Sequence, residues 1–488
     1  MPEFTAQLLA DWTGGHWTAP PAAALTGFAV DTRQLRAGQI FVAIKTDKRD
    51  GHDYLPEALA AGAAAALVAR PDRELALPQL VVADPLAAFQ AIARQHRRAF
   101  RGPVVGISGS AGKTSTKDLL ALLLGGEAGG VLATEGNLNK ASIASGAPMA
   151  RGVLATEGNL NNHLGVPLTL TRLDPARHAF AVVEAGVSAP GEMKPLADMI
   201  EPDVSLITLV AAAHTEELGG IEGVAREKAG LPAATRASGV AMFSKATAEF
   251  GAFRDLGVRK LIIERAEVVR PAEPPKDRVY FAVTHREDET AVALAYGPPP
   301  PLTFTFRRVS DGMAQNAVLA ICAALWLGVP RTAIHARLAG WKPAKLRGEI
   351  RRDDGRLLYL DCYNANPASM ADALATFTAL APEGEPRLYL IGCMEELGPE
   401  APAHHRALGR SLRLGDEDQL FVIGTHASAV CAGVLDTGNF TRQIQIVATL
   451  EPVIARLEEW RGAVFVKGSR RYQLEKVLEV QTSLPLVY

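Results

Sequence analysis

The stretch VVGISGSAGKTSTKDLLALLL, residues 104–124, decides the fold. A short apolar run stops in glycines and a segment with helical spacing follows, which predicts a strand, a loop and a helix. A phosphate-binding loop needs glycines whose N–H groups turn toward the anion, a lysine for the phosphates and a hydroxyl for Mg²⁺. These residue types occur together in Gly109, Ser110, Ala111, Gly112, Lys113, Thr114 and Ser115. Ile107 stands where the usual motif has its first glycine, so the loop is a variant, and we expect it to bind ATP or GTP.

Two further apolar runs, HAFAVVEAG and DVSLITLV, follow this stretch and predict buried strands of a parallel sheet with helices on both faces. Glu184 ends the first run and His214 follows the second. Nucleotides bind outside the carboxyl ends of such strands, where these two side chains would lie. A Glu or His at a strand end is also an ordinary surface residue, so both interpretations stay open for this pair.

The rest of the chain divides into three α/β segments. Residues 1–101 alternate short strand-like runs with alanine-rich text such as LPEALAAGAAAALVA, which predicts helix. Residues 102–329 form the central segment around the phosphate loop, and its tail, from about 254 to 308, reads as irregular β structure. Residues 330–488 contain four strand-like runs separated by helical text. We therefore predict three domains: a small α/β domain, a central P-loop domain with a parallel sheet, and a Rossmann-like α/β domain.

The composition excludes several function classes. The 488 residues carry 51 Lys and Arg against 53 Asp and Glu, which gives no basic surface for nucleic acid or an anionic membrane. The four cysteines have no CxxC spacing, as is typical of a reducing cytosol. The N-terminal residues lack a signal-peptide pattern, and no apolar run approaches ~18 residues. We expect a cytoplasmic monomer with small-molecule partners.

The third segment carries a polar cluster after the run RLLYL. It reads Asp361-Cys362-Tyr363-Asn364-Ala365-Asn366-Pro367-Ala368-Ser369-Met370, with Ser369 as a possible helix cap. Arg347 in KLRGE and Lys467 in VKGSRR are nearby charged candidates. From the residues alone, the cluster is equally well a turn, and the two cations are equally well solvated.

An identical ten-residue segment, GVLATEGNLN, occurs at residues 130–139 and again at residues 152–161. The second copy continues as NHLGVPLTL, which has apolar helical text, whereas the first continues as KASIASGAPMARG, which has no strong period. We expect the second copy to be the working substrate loop and the first to be a surface insertion. The rival possibility is that the first copy holds the native strand and the second is displaced.

These motifs resemble those of the Mur ligases. GSAGKTS, ATEGNLNNHLGVPLTL, EAGVSAPGEM, GIEGVAREK, LRGE, DCYNANPASM, ELG before HHRALG, and VKGSR occur in the order found in that family, most closely in its MurF type. VDTRQLRAGQIFVAI and RDGHDYL extend the resemblance to nearly the whole chain. The resemblance implies an ATP-dependent ligase of peptidoglycan precursor synthesis. Such an enzyme activates the carboxylate of UDP-N-acetylmuramoyl-tripeptide as an acyl phosphate, which the amine of D-alanyl-D-alanine then attacks.

The resemblance also implies roles for individual residues. Lys113 would bind phosphates, Thr114 and Glu184 would hold Mg²⁺, and His214 would serve a second Mg²⁺. Lys228 matches a lysine that is often carbamylated in the family. Asn316, Arg347 and Asp361 match groups that contact ATP. The substrate-binding positions implied are Thr32, Arg33, Asp50, Gly51, His52, Thr156, Asn159, Asn161, Asn162, Tyr363, Asn364, Asn366 and Lys467.

Three departures from the family pattern stand out. Gly312 and Met313 replace an HN pair and remove one candidate adenine contact, Cys393 replaces an acid before ELG, and Ala229 replaces a glycine. The competing functions are a MurE-type ligase, whose DNPR-like motif is absent, and folylpolyglutamate synthase, which lacks the sugar-nucleotide domain. A catalytically inactive relative is the third alternative, although Lys113, Glu184 and His214 are all present.

Overall fold

Three sheets, each flanked by helices, make up the computed structural model, which describes residues 2–125, 152–269, 275–353, 356–438 and 443–479. The predicted α/β class with three domains is confirmed. The first sheet has five strands in the order β1-β5-β4-β3-β2, parallel except for β1. Its elements are α1 (Ala6–Thr13), β1 (His16–Trp17), β2 (Phe28–Ala29), β3 (Ile40–Val42), α2 (Leu55–Ala60), β4 (Ala65–Val68), β5 (Gln79–Val81) and α3 (Pro85–Ala99).

The alanine-rich run that predicted a single helix is in fact a helix followed by a strand. Helix α2 ends at Ala60, Gly62 has a φ of 90°, and β4 begins at Ala65. All four residues of β4 are buried between neighbouring strands. Sheet pairing at a buried position therefore outweighs the helical propensity of alanine here.

The central sheet has nine strands in the order β14-β13-β12-β11-β10-β9-β6-β8-β7. The strands from β7 to β12 run parallel, and β13 and β14 form an antiparallel edge. The strands are β6 (Val104–Ser108), β7 (Gly152–Ala155), β8 (His178–Glu184), β9 (Val204–Ile207), β10 (Val240–Ser244), β11 (Lys260–Arg265), β12 (Arg278–His285), β13 (Glu289–Ala295) and β14 (Leu302–Arg307). The helices are α4 (Lys113–Leu123), α5 (Gly165–Leu170), α6 (Met193–Ile200), α7 (Thr215–Leu218), α8 (Ile221–Ala233), α9 (Lys245–Ala248), α10 (Gly251–Arg254), α11 (Asp311–Trp326) and α12 (Arg331–Ala339).

Helix α12 lies on the central domain, although the sequence boundary at residue 330 placed it in the third. Ile334, Leu338 and Trp341 are buried in the core beside the central sheet, and Arg337 donates to the carbonyl of Leu123. The third domain therefore begins after Trp341. The apolar side chains of a helix that follows a proline do not by themselves reveal which sheet they cover.

The third sheet has six strands in the order β15-β16-β20-β17-β18-β19. Its elements are β15 (Glu349–Asp353), β16 (Arg356–Asp361), α13 (Pro367–Leu380), β17 (Arg387–Gly392), α14 (Ala401–Ser411), β18 (Gln419–Ile423), α15 (Ala427–Leu435), β19 (Ile444–Ile446), α16 (Glu451–Glu459), β20 (Ala463–Lys467) and α17 (Lys476–Glu479). The four strands predicted from the sequence are β16, β17, β18 and β20. Asn366 is the N-cap of helix α13, where Ser369 was the possible cap from the sequence. Ser369 instead accepts from the backbone N–H of Asn366 and so completes a capping box.

The first domain is fixed to the central one by Arg97, a fully buried residue of α3. Its guanidinium donates to the carbonyl of Ile200 at 2.8 Å and to the carboxylate of Asp203 at 2.8 Å. A buried cation needs such partners, because an unpaired charge in the interior is costly. This contact sets α3 of the first domain against the end of α6 and the start of β9.

Candidate active site

The phosphate loop joins β6 to α4 with two glycines in conformations that other residues rarely adopt. Gly109 has a φ of 147° and Gly112 a φ of 78°. A Cβ at Gly109 would lie 2.0 Å from Thr208 Oγ1, and one at Gly112 would lie 2.1 Å from Asn316 Nδ2. Both positions therefore require glycine. The loop ends at the N-terminus of α4, where free N–H groups and the helix dipole favour an anion.

Lys113, the first residue of α4, is almost without partners inside the described part of the protein. Its Nζ donates to the carbonyl of Gly109 at 2.9 Å. Burial lowers the pKa of Lys113, the nearby charge of Arg347 lowers it further, and the charge of Glu184 opposes both. An ammonium with one carbonyl partner has hydrogen-bonding capacity left for phosphate oxygens.

Glu184, at the end of β8, is 1% exposed and lies beside the phosphate loop. Its Oε2 accepts from the Thr114 hydroxyl at 3.0 Å, and its Oε1 accepts from Asn161 Nδ2 at 2.8 Å. Its backbone N–H donates to Thr156 Oγ1 at 3.0 Å. Of the two interpretations left open by the sequence, the geometry favours the functional one, since the carboxylate is buried in the cleft.

Residues 156–162 of the second repeat copy lie around that carboxylate. Asn159, Asn161 and Asn162 line the cleft, and the Asn162 side chain accepts from the N–H groups of Leu164 and Gly165. Thr156 is buried behind them, and its carbonyl accepts from Lys117 Nζ at 2.7 Å. The first copy, at residues 130–139, lies outside the described residues, so its expected place as a surface insertion stays a prediction.

One pair of variants tests which copy of the repeated segment GVLATEGNLN is the working substrate loop. We expect Asn161→Ala to reduce ligation about ten- to a hundredfold, because it removes a hydrogen bond to a buried carboxylate. Asn139→Ala, the same change in the first copy, is expected to leave the rate unaltered. Initial rates of ADP release measure both, and a loss confined to Asn139→Ala would show that the first copy works.

The third domain contributes several groups to the same cleft. Arg347 Nη2 donates to Thr114 Oγ1 at 3.2 Å, and its guanidinium stacks on the Tyr363 ring at 3.8 Å. Asn366 Nδ2 donates to the carbonyl of Ser110 at 3.2 Å. Lys467, whose side chain is fully buried, forms an ion pair with Asp361 and donates to the carbonyl of Asn364. From the sequence, Arg347 and Lys467 could be either solvated or functional. Both line the cleft between the central and third domains.

His214 also meets the third domain, because its Nδ1 pairs with the carboxylate of Glu396. Burial lowers the pKa of His214, Glu396 opposes this, and the charges of Lys228 and Lys113 add to the lowering. Lys228, in α8, is 1% exposed. Burial and the charge of Lys113 lower the pKa of Lys228 to about 7.

The sugar-nucleotide residues implied by the resemblance lie in the first domain and do not line the cleft. Thr32 and Arg33 belong to a 3₁₀ helix, and the Arg33 side chain is 83% exposed. His52 Nδ1 bonds Asp50 at 2.6 Å, and its Nε2 accepts from the N–H of Ala69 at 2.9 Å. Both ring nitrogens are thus engaged inside the protein. His52 therefore shapes the turn at Gly51 and has no free nitrogen for a ligand.

The cleft between the central and third domains has a volume of about 570 Å³. It is lined by most of the expected residues, namely Ser110, Ala111, Gly112, Lys113, Thr114, Ser115, Asn159, Asn161, Asn162, Glu184, His214, Asn316, Arg347, Asp361, Tyr363, Asn364, Asn366 and Lys467. It is also lined by Met313, already noted as a departure from the family pattern, and by Glu192, His163 and Asp372, which the sequence did not single out. Glu192 belongs to EAGVSAPGEM, one of the motifs that resemble those of the Mur ligases, so this motif could have pointed to it.

No helix among the described residues is long and apolar enough to cross a membrane. No group of three or more His, Cys, Asp or Glu side chains in those ranges forms a metal-binding cluster.

Family models match all three parts of the chain. The Mur ligase family catalytic domain matches residues 25–97, the Mur ligase middle domain residues 107–324, and the Mur ligase glutamate ligase domain residues 346–470. Each of the three matches covers most of the strands of one sheet.

Relatives that are similar over most of the chain support the same family assignment. The UDP-N-acetylmuramoyl-tripeptide–D-alanyl-D-alanine ligase of Escherichia coli K12 is 31% identical over 461 residues, 93% of each chain. The ligase of the same name from Synechocystis is 30% identical and covers 88% of this chain and 87% of its own. The crystal structure of MurF from Acinetobacter baumannii has a TM-score of 0.81 at 26% identity, and covers 99% of this chain and all of that one. A Thermotoga maritima MurF structure in complex with ADP, at 24% identity and a TM-score of 0.74, has the same fold. The chain therefore belongs to the Mur ligase family, and within it to the MurF type.

Proposed function

We propose that this protein is an ATP-dependent amide ligase that joins D-alanyl-D-alanine to UDP-N-acetylmuramoyl-tripeptide in peptidoglycan precursor synthesis. The observation that carries the proposal is the meeting of Lys113, Thr114 and Glu184 with Arg347 across one interdomain cleft. The relatives bear the name of this reaction and match the chain over most of its length. Its free cysteines fit a reducing cytoplasm, and we propose that the protein acts there as a monomer.

The donor set of the cleft fits Mg²⁺. The Thr114 hydroxyl and the Glu184 carboxylate are hard oxygen ligands 3.0 Å apart, and Mg²⁺ usually binds through one or two carboxylates, phosphate oxygens and water. We propose that these two residues hold the ion and that His214 serves a second one. When bound, Mg²⁺ neutralises phosphate charge. A carbamate on Lys228, formed from its amine and CO₂ with release of a proton, would add an anionic oxygen ligand.

The first chemical step is transfer of the γ-phosphoryl group of ATP to the terminal carboxylate of the tripeptide, which yields ADP and an acyl phosphate. Positioning and charge neutralisation dominate such a transfer. Lys113 and the N-terminus of α4 would bind the β- and γ-phosphates, and Arg347 would reach them from the third domain. Asn316, Asp361 and the Tyr363 ring would complete the nucleotide site.

The second step is attack of the D-alanyl-D-alanine amine on the carbonyl carbon of the acyl phosphate. The tetrahedral intermediate collapses to the amide, phosphate leaves with the electrons of the broken C–O bond, and the amine loses a proton. Asn159, Asn161, Asn364 and Asn366 line the cleft and would serve as neutral donors to the reacting groups. Thr32, Arg33 and the turn held by His52 would hold the sugar nucleotide in the first domain.

ADP and phosphate release with UDP-N-acetylmuramoyl-tripeptide tests the proposal. We expect release with D-alanyl-D-alanine as acceptor, a product whose mass is the sum of both substrates less water, and little release with single amino acids. The tripeptide is supplied both with lysine and with diaminopimelate as its third residue. Ligation of a free diamino acid to the UDP-dipeptide instead would support the MurE-type activity and overturn the proposal.

A further inference from the structure

One end of the cleft joins the N-terminus of α11 to the third-domain helix α13. From the phosphate loop the cleft passes Asn316, whose side chain lies against Gly112, and reaches Gly312, Met313 and Asp372. A nucleotide with its phosphates on the loop and its base beside Asn316 would point that base toward these three residues. Asp372 is the one carboxylate among them.

Asp372 is held by two donors from the other domain. Its Oδ1 accepts from the N–H of Gly312 at 2.9 Å, and its carboxylate also bonds the Ser310 side chain. Burial raises the pKa of Asp372, whereas these two bonds lower it. A carboxylate has about four acceptor positions, so two remain after these bonds are made.

Gly312 is what allows Asp372 to approach so closely. A Cβ at Gly312 would lie 2.7 Å from Asp372 Oδ2 and 3.1 Å from its Cγ. The histidine of the family's HN pair would collide with the carboxylate in this position. The asparagine of that pair, a candidate adenine contact, is replaced by Met313, whose thioether is at most a weak acceptor. The close approach of Gly312 and Asp372 thus places a charged hydrogen-bond acceptor at this end of the cleft.

We propose that Asp372 determines nucleobase specificity, its carboxylate accepting a hydrogen bond from the exocyclic amino group of adenine. The inference rests on the proposed function only in placing an adenine nucleotide in this cleft. A carboxylate is an acceptor only, so it binds the 6-amino group of adenine and repels the 6-oxo group of hypoxanthine or guanine. Because Asp372 belongs to the third domain, the base site is complete only when that domain lies against α11.

Nucleotide binding by the full-length protein tests this without any ligation step. The probes are ADP, inosine 5′-diphosphate and the 5′-diphosphate of unsubstituted purine riboside, measured by calorimetry. We expect Asp372→Ala to weaken ADP about tenfold or more and to leave purine riboside diphosphate unchanged, because that base has no group for the carboxylate. Asp372→Asn, whose amide can donate to an oxo group, is expected to strengthen inosine diphosphate. Gly312→Ala, which displaces the carboxylate, is expected to resemble Asp372→Ala.

Asp418→Asn is the matched control. Asp418 also accepts two backbone N–H groups in the third domain, from Arg387 and Gly415, but does not line the cleft. It should leave base preference unaltered. Equal weakening of all three nucleotides by Asp372→Ala would show that Asp372 acts as a tether between domains. No weakening of any nucleotide would show that its carboxylate does not contact the base. Either result would overturn the proposal. If Asp372→Ala does not fold, the near-isosteric Asp372→Asn decides alone. Since binding is measured directly, absence of D-alanyl-D-alanine ligation would leave this result standing.

Discussion

Replacing Lys113 with alanine is expected to reduce ligation about a thousandfold or more while leaving the protein folded. The ammonium would act on phosphate charge in the transition state, and groups of this kind contribute ~10³–10⁵ to phosphoryl transfer. Its one hydrogen-bond partner among the described residues is the carbonyl of Gly109. Burial lowers the pKa of Lys113, which means that the folded protein carries the charged form at a cost. Removing the charge therefore takes away catalysis without removing support for the fold.

Phosphate release and a thermal melt measure the two effects separately. Lys194→Ala is the control, because its side chain is 79% exposed and pairs only with Asp198 on the same helix. It should retain the wild-type rate. More than a tenth of the wild-type rate in Lys113→Ala, with an unaltered melt, would refute the assigned role.

Glu184→Ala is expected to lower ligation about a hundredfold or more, with partial recovery at raised Mg²⁺. The carboxylate orients both the Thr114 hydroxyl and the Asn161 amide, so its loss removes a proposed ion ligand and frees two other groups. Higher Mg²⁺ compensates for weaker binding of the ion by mass action but does not restore the orientation of Asn161.

Initial rates over a Mg²⁺ series test this, with Glu264→Gln as the matched control. Glu264 lies on β11 of the same sheet but pairs with Lys245 and Arg278 away from the cleft. Its variant should show wild-type rates and an unaltered Mg²⁺ dependence. If Glu184→Ala shows the same Mg²⁺ dependence as the wild type, the ligand role is wrong.

The features that could be predicted from the sequence are those encoded locally. The phosphate loop is contiguous, and its glycines, lysine and threonine all keep the expected arrangement. The buried strands that end in Glu184 and Asp361 were also visible as apolar runs. Most site residues predicted from the family resemblance line one cleft, because that pattern already records which distant segments meet.

What the sequence did not reveal depends on contacts between distant segments. Asp372 follows the YNANP motif on an ordinary helix, and only the approach of α13 to Gly312 gives its carboxylate a place in the cleft. His52 stands in a motif that suggests a ligand, yet the backbone of Ala69, on another loop, occupies its second nitrogen. Helix α12 covers the central core although it follows the predicted boundary. Periodicity and spacing carry no information on such pairings.

Strand β7 lies at the end of the nine-stranded sheet, with β8 as its neighbour on one side. Among the described residues no strand pairs with the other side of β7, so chain added between α4 and β7 separates no pair of described strands. Each doubling of a loop costs only ~0.6 kcal/mol in closure entropy. An in-frame duplication at this place is therefore expected to cost the fold little stability. On our prediction that the second copy is the working substrate loop, the first copy is free to mutate while the second serves the enzyme, and this edge becomes a place where new acceptor preferences can evolve.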